Sequence, residues 1–463
     1  MLDFDMDKHG SCSLYEYLYQ QIRDEIISGS IGAHEHLPSK RALAEHLGVS
    51  VITVENAYDQ LVAEGYVYTR PRRGFYACEL PNATPSVVHA QGESVDLSSD
   101  AGALSGSELI PDALSQSSFE AARLWQRALR QALSSEDERV LFSPAPAQGT
   151  ERLRLAIANH LRGTRGLDVD PRNIVVGAGA QLLDTMLVQL LGHDATYAVE
   201  DPGYLRLTRI YQACGCRVRH VPLDGEGPRL DALASCDADV FHLMPSHQFP
   251  TGRVTSIARR YGLLAWAAAK PGRYLIEDDY DCEFRLAGRP IPPLAAIDAA
   301  GCVIYTNTFS KSLSSALRLA YMVLPPALMN RYNDELGFYS SSVSSIDQIA
   351  LARLLESGEY ERHAMRVRKR AREARDLLRE ELDRVDGLGE IDIEEADAGL
   401  HCVLAVKGDM SEKEMADRLG AHGIPSVPLS DFAWSNKNTI DNDGKKRLVV
   451  LYEDINKNKL FEQ

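Results

Sequence analysis

Lys311 directly follows Ser310, and Arg318 comes seven residues later, in the run Thr308-Phe-Ser-Lys-Ser-Leu-Ser-Ser-Ala-Leu-Arg318. A lysine amine can form an imine with a carbonyl compound, and a hydroxyl and a guanidinium beside it are donors suited to a phosphate. Upstream, the apolar run Tyr274-Leu-Ile-Glu-Asp278-Asp-Tyr280 ends in consecutive acids, which need cationic partners if buried. Asn173-Ile-Val-Val176 leads into Gly177-Ala-Gly-Ala180-Gln181 and then an apolar helix, so that free amides and a positive dipole end are offered to an anion. Thr196-Tyr-Ala-Val-Glu200 is followed by Asp201-Pro-Gly-Tyr204-Leu-Arg206, an aromatic and a cation just past a strand. An amine for an imine, a carboxylate against a pyridinium nitrogen, and donors with a cation for a phosphate are together what pyridoxal 5'-phosphate (PLP) requires.

These residues need a scaffold that gathers strand ends. From about residue 113 onward, apolar strand-like runs alternate with helical stretches, which predicts an α/β domain with a largely parallel sheet. Each candidate strand ends in something polar, as a ligand site at the carboxyl ends of such a sheet demands. Val240-Phe-His-Leu-Met244 runs into Pro245-Ser-His-Gln-Phe-Pro-Thr-Gly252, a turn that no strand or helix accommodates, and Val303-Ile-Tyr305 precedes Lys311.

The N-terminal 78 residues follow different rules. Leu14, Leu18, Ile22 and Ile26 make one helical stripe that ends near Gly29. Ser39 caps a short helix with Leu43, Ala44 and Leu47 inward, Gly48 stops it, and Ser50 caps the next at once. In that helix Val54, Ala57, Tyr58 and Leu61 face the core, leaving Val51, Ile52, Thr53, Glu55 and Asn56 near the exposed N-terminal face. Two helices joined so tightly are a DNA-reading arrangement. Two short strands, Tyr66 to Thr69 and Phe75 to Cys78, flank the basic turn Arg70-Pro-Arg72-Arg73-Gly74 as a wing. Lys40, Arg41, Arg70, Arg72 and Arg73 supply the phosphate contacts, with Ser50, Thr53 and Asn56 at the reading face.

Residues 13 to 78 resemble the winged helix-turn-helix of the GntR family through Leu37-Pro-Ser-Lys-Arg41, Leu47-Gly-Val-Ser50, Thr53-Val54, Ala57-Tyr58 and Glu64-Gly-Tyr66. Residues 113 to 463 resemble the fold-type I aminotransferases, most closely the MocR group that fuses the two modules. Pro245 to Gly252, Glu277-Asp-Asp-Tyr280 and Phe309-Ser-Lys311 with Arg318 carry that match. The resemblance implies an α+β winged helix-turn-helix domain plus an α/β fold-type I PLP-dependent aminotransferase-like domain with a smaller C-terminal α/β subdomain. It implies Lys311 as the Schiff-base lysine, Asp278 at the ring nitrogen, Tyr280 at the ring hydroxyl and Tyr204 on the ring face. Ala180, Gln181, Ser310 and Arg318 would hold the phosphate, while Arg447 or Arg206 would grip an effector carboxylate. Three departures stand out. Val51 replaces a common arginine after the serine cap, Phe142-Ser-Pro144 stands where relatives tend to carry a cross-subunit tyrosine, and Phe249 replaces an asparagine. The last two favour a ligand sensor over an efficient catalyst.

Length suggests two or three domains, whereas the net charge runs against a DNA binder unless local charge decides. The chain has 463 residues and a formal net charge of −16, so DNA affinity must come from local cations. Residues 1 to 78 alone hold seven Lys/Arg against eleven Asp/Glu. Eight cysteines without paired spacing suggest reduced thiols, and Cys214-Gly-Cys216 with His220 lacks the further ligands a zinc site needs, so no metal is expected. No signal peptide or membrane span is apparent, and a cytoplasmic location is expected. Composition predicts a linker at 79–112, and the motifs and the resemblance imply a DNA-binding domain at 1–78 and an effector domain at 113–463, with its small subdomain from about 325. The expected partners are double-stranded operator DNA, an amine, amino-acid or PLP effector, and a second copy in a homodimer. The competing reading is a working aminotransferase with an appended DNA module.

Overall fold

The computed structural model describes residues 13–63, 66–70, 74–78, 116–286, 292–385, 389–397, 399–434 and 444–452, with residues 2, 4, 6 and 455. The chain divides into two compact units, Met1–Ala101 and Gly102–Gln463. The expected linker, 79–112, lies outside the described residues, as do Arg72 and Arg73.

The first unit is built of α1 (Leu14–Ile27), α2 (Lys40–Leu47), α3 (Val51–Ala63) and the antiparallel hairpin β1 (Val67–Arg70) and β2 (Gly74–Ala77). The α1 stripe buries Leu18, Ile22 and Ile26, whereas Leu14 at the helix start stays exposed. Ser39 Oγ accepts from the Ala42 amide, and Gly48 ends α2 with φ of 66°. Ser50 Oγ accepts from the Thr53 amide at 3.1 Å. Each such cap is worth about 1 kcal/mol, and together they fix the tight turn between α2 and α3. Val54, Ala57, Tyr58 and Leu61 of α3 are fully buried, and the Tyr58 hydroxyl donates to the Pro38 carbonyl at 2.9 Å, tying α3 to the entry of α2.

The second unit is organised by an eight-stranded sheet. Its strands are β3 (Ile174–Gly177), β4 (Thr196–Asp201), β5 (Arg217–Asp224), β6 (Gly227–Pro228), β7 (Val240–Leu243), β8 (Tyr274–Asp278), β9 (Val303–Thr308) and β10 (Ala320–Val323). Their order is β3-β10-β9-β8-β7-β4-β5-β6. The run β5-β4-β7-β8-β9 is parallel, and β10 is antiparallel to both neighbours. Ile174, Val176 and Tyr305 enter one core while Val175 and Ile304 enter another, so successive residues serve helices on opposite faces. The parallel run aims the ends of β4, β7, β8 and β9 at one edge of the sheet.

A second sheet, β11 (Glu390–Glu394), β12 (His401–Lys407), β13 (Ser426–Pro428) and β14 (Lys446–Leu451), is antiparallel in the order β11-β12-β14-β13. Its own core draws on Val367 and later residues with Phe284 and Leu286, whereas helices Pro326–Glu335 and Ser345–Glu356 pack into the cores of the large sheet. Residues from Val367 onward thus share the core of the second sheet, whereas those between 325 and 356 pack with the first, because helix alternation alone does not reveal which sheet a helix covers. Among the described residues no helix is long and apolar enough to cross a membrane.

Candidate functional site

The strand ends open onto a cavity of about 250 Å³. Lys311, Asp278, Tyr280 and Tyr204 line it, as do Ala180, Gln181, Ser310, Arg318 and Arg206. Strand alternation explains why Asp278, of three consecutive acids, is the one that faces the cavity. Glu277 is fully buried, accepts from the Leu294 and Ala295 amides at 2.7 and 2.9 Å, and lies 3.9 Å from Arg260. Asp279 turns the same way, where Arg165 Nε lies 2.8 Å from its carboxylate and the Tyr305 hydroxyl donates to it at 2.8 Å. The cations that buried acids demand are thus present behind the site, and Asp278 is left for a ligand.

Behind Asp278 stands His242, which sequence reasoning passed over. Its Nε2 lies 3.8 Å from Asp278 Oδ2, an ion-pair separation too long for a hydrogen bond, and its Nδ1 is 2.6 Å from the Tyr211 hydroxyl. Burial opposes a charge on this ring, but Asp278, Asp184 and Glu200 outweigh it and raise its pKa. Burial also pushes the Asp184 carboxyl up to about 7 and Glu200 up to about 8. The one signal available was a histidine inside the otherwise apolar run of β7.

The loop carrying Lys311 is fastened from beneath. Ser312 Oγ accepts from the Tyr360 hydroxyl at 2.8 Å, and its carbonyl lies 2.8 Å from His363 Nε2, both from the helix Glu359–Leu382. Thr308 Oγ1 accepts from the Ser310 amide at 3.1 Å and donates to Ser310 Oγ at 2.8 Å. On the opposite wall Gly179, with φ of 90°, leads into the helix Ala180–Leu191, whose first amides have no intrahelical acceptor. A β-carbon on Gly179 would stand 2.2 Å from Arg318 Nη2, so only glycine leaves room for the guanidinium there.

The small sheet supplies Leu400, His401 and Leu451 to the cavity. Phe249, at the asparagine position, is a buried apolar wall that meets Phe432 at 5.2 Å, His401 at 5.4 Å and Tyr204 at 6.1 Å between ring centres. Phe142 is exposed and does not line the cavity.

Arg447 is not brought to this cavity. Its Nε and Nη2 donate to Glu394 at 2.9 and 3.0 Å, a bidentate pair across β12, and β14 reaches the cavity only at Leu451. Arg206, the other expected candidate, does line the cavity, its guanidinium 5.7 Å from the Tyr204 ring centre.

Among the described residues His247, Asp281 and His401 place ligand atoms within 4.8 Å of one another, a spacing that metals use. His247 Nδ1 is already 2.7 Å from Asp281 Oδ2 and 3.3 Å from the Tyr280 hydroxyl. Burial, His247 and Lys311 all hold the His401 pKa well below its usual value. His247, itself bonded to Asp281, thus stands as a hydrogen-bonded support for the Tyr280 hydroxyl. Cys214, Cys216 and His220 do not cluster: His220 bonds to Thr208 at 3.0 Å and stacks on Trp434.

In the first unit Arg41 and Asn56 are exposed. Lys40 is not a free phosphate donor, because Glu55 and Asp59 of α3 hold its Nζ at 2.9 and 3.2 Å. Ser50 and Thr53 share a hydroxyl–hydroxyl bond of 2.8 Å. Arg70, at the wing, lies over the rings of Tyr68 and Tyr76 at 5.5 and 5.0 Å.

Comparison with known proteins agrees with both units. The family of bacterial regulatory proteins named after gntR matches residues 14–77, and aminotransferase class I and II matches residues 113–437. The HTH-type pyridoxine biosynthesis transcriptional regulator PdxR of Corynebacterium glutamicum is 33% identical over 432 residues, covering 93% of this chain and 91% of its own. The rhizopine catabolism regulatory protein MocR of Rhizobium meliloti is 28% identical over 438 residues, 92% and 88% of the two chains. Among solved structures, the α-aminoadipate aminotransferase LysN of Thermus thermophilus, complexed with a phosphopyridoxyl-leucine, superposes with a TM-score of 0.60 at 25% identity over 74% of this chain and 86% of its own.

Proposed function

Since the chain belongs to the MocR-type transcriptional regulators, a GntR-type DNA-reading domain joined to an aminotransferase-like domain, we propose that it binds operator DNA and PLP, and that a primary amine, an amino acid or PLP itself sets its activity. One observation carries the reading: Lys311, Asp278, Tyr280 and Arg318, from separate stretches of sequence, line one cavity in a chain that also bears a DNA-reading fold.

The donor set fits PLP. The Gly179 and Arg318 cradle with the amides of Ala180 and Gln181 suits a phosphate dianion, and Ser310 adds a hydroxyl. Asp278, backed by His242, suits a protonated ring nitrogen, and the Tyr280 hydroxyl suits the ring oxygen. When bound, PLP supplies an electron-withdrawing ring with a carbonyl carbon open to amines. Lys311 Nζ would be the chain's own amine for that carbon, the position for which an effector's primary amine would compete. Arg206 orients a carboxylate on that amine at the cavity edge. Phe249 offers no hydrogen bond where a catalyst would hold the ring oxygen, so proton control is poorer than turnover needs. This supports sensing over sustained amino-group transfer. Two reading heads on a homodimer would suit repeated half-sites.

The test is to map the DNA bound by the chain in cells and to follow transcription beside it as PLP is withdrawn or restored. A discrete site whose neighbour responds supports the proposal. Sustained amino-group transfer to a 2-oxo acid, with no site-specific DNA binding, would establish the aminotransferase reading instead.

A further inference from the structure

The outward face of α3 has an unusual composition for a helix that reads DNA. The helix VITVENAYDQLVA contains no lysine or arginine. The cation nearest to it in the fold, Lys40, is spent on Glu55 and Asp59, both residues of α3. The hydroxyls of Ser50 and Thr53 bond to each other and cap the helix. Beside the Lys40-paired carboxylate of Glu55, what the first two turns offer outward is apolar and amide surface: Val51 is 43% exposed, Ile52 is 67% exposed, and Asn56, one turn beyond Ile52, is exposed as well. None of this is a lapse of core packing, since Val54, Ala57, Tyr58 and Leu61 on the other side are fully buried.

The base edges in a major groove differ in what they ask of such a face. Guanine presents two acceptors and is matched by the donors of arginine or lysine, which α3 lacks. Cytosine presents an amino donor, and the carboxylate of Glu55 that could accept it is held by Lys40. Thymine alone carries a methyl group there, and adenine pairs a donor with an acceptor in the pattern an asparagine amide complements. Resting on the reading that α3 enters the major groove, we propose that α3 selects A·T base pairs, with Ile52 and Val51 packed on thymine methyls and Asn56 on an adenine edge. Phosphate attraction then falls to cations outside α3, Arg41 and Arg70 among them.

The experiment uses the full chain with PLP and a duplex selected from random sequence. Each thymine in the selected site is replaced in turn by deoxyuridine, which lacks only the methyl group, and affinity is read by fluorescence anisotropy. The expected result is an A·T-rich core in which two or more replacements weaken binding about fourfold each, the cost of about one buried methyl. Ile52→Ala should bind thymine and deoxyuridine alike at the position that Ile52 contacts while the position under Val51 still discriminates, and Ile52→Val should retain most of the difference at both. Because Ile52 is largely exposed, neither variant threatens the fold. Tight, site-specific binding that ignores every deoxyuridine replacement, or a selected core of G·C pairs, overturns this inference and leaves the regulatory reading standing. Failure to prefer any duplex over random DNA overturns the regulatory reading first and this inference with it.

Discussion

The guanidinium of Arg318 occupies the space that a side chain on Gly179 would need: a β-carbon there would meet Nη2 at 2.2 Å. Both residues have positive φ, 50° at Arg318 and 90° at Gly179; glycine adopts this freely, whereas at Arg318 it is a strain that functional sites often hold. Gly179→Ala should therefore push Arg318 out of the cradle and cut PLP affinity at least about tenfold, about 1.4 kcal/mol. Lys311 would still be present to react. An absorbance titration that gives the same PLP affinity as the unaltered chain would show that the phosphate lies elsewhere.

Lys311→Ala should bind PLP without a covalent bond. Borohydride treatment of the unaltered, yellow protein should fix the cofactor to the peptide containing Lys311, and the variant should release it on unfolding. Mass analysis that finds the cofactor on another lysine contradicts the assignment.

Glu200 makes the effector unit sensitive to pH. Burial raises its carboxyl to about 8, so between the ordinary glutamate pKa and pH 8 the folded chain holds a proton that the unfolded chain has lost. Stability must then fall as pH rises through that window. Asp184, at about 7, acts in the same sense. His242, with a raised pKa, adds stability that is full below its unfolded pKa and lost as pH rises through the folded one. Glu200→Gln keeps an acceptor for the Met244 amide and removes one titration, so its melting temperature should decline less between pH 5 and 8. The slope removed is at most about 1.4 kcal/mol per pH unit. Parallel melting curves for the two proteins would rule the effect out.

The difference between Asp278 and Arg447 shows how much the sequence could reveal. Asp278 was legible because an apolar strand ends there in consecutive acids and the resemblance of Glu277-Asp-Asp-Tyr280 to aminotransferases singles it out; the fold adds that alternation sends it opposite to Glu277 and Asp279. Lys311, Tyr204 and Gly179 were legible for a similar reason: each follows an apolar strand that cannot itself bear them. Arg447 also stands at a strand end, but whether a guanidinium reaches a ligand or a neighbouring carboxylate depends on Glu394, which lies across β12 and more than fifty residues away in sequence. Lys40 misled in the same way, since its partners Glu55 and Asp59 come from the next helix. His242 and His401 escaped notice because a polar residue within a buried strand has no local pattern to mark its partner. Local periodicity thus carried the element pattern, and motif resemblance the strand-end residues, while pairings made across elements needed the folded chain.

Arg206 and Arg447 should behave differently on replacement. Arg206→Ala should weaken the response to a carboxylate-bearing amine by about tenfold or more, with melting unchanged, because Arg206 is exposed at the cavity edge. Arg447→Ala removes the partner of Glu394, whose side chain is about one-third exposed, and should cost about 1–3 kcal/mol of stability after allowance for solvent. Thermal melts and effector titrations on the two variants separate these outcomes. A stable Arg447→Ala protein that has lost only its effector response would restore Arg447 as the carboxylate partner.

If effector binding changes transcription through DNA affinity, the two ligands must favour the same conformations of the chain unequally. The structural difference to test is closure of the small sheet on the cavity, since His401 and Leu451 belong to it while Asp278 ends a strand of the large one and Lys311 follows another. Thermodynamic linkage then makes the coupling reciprocal: operator DNA should alter effector affinity by the same factor by which effector alters operator affinity, typically about 5- to 150-fold. Titrating effector into the PLP-loaded chain, with and without a saturating operator duplex, measures this factor directly. Equal effector affinity in the two titrations would exclude regulation by DNA affinity and leave altered DNA geometry or contact with polymerase as the route from cavity to promoter.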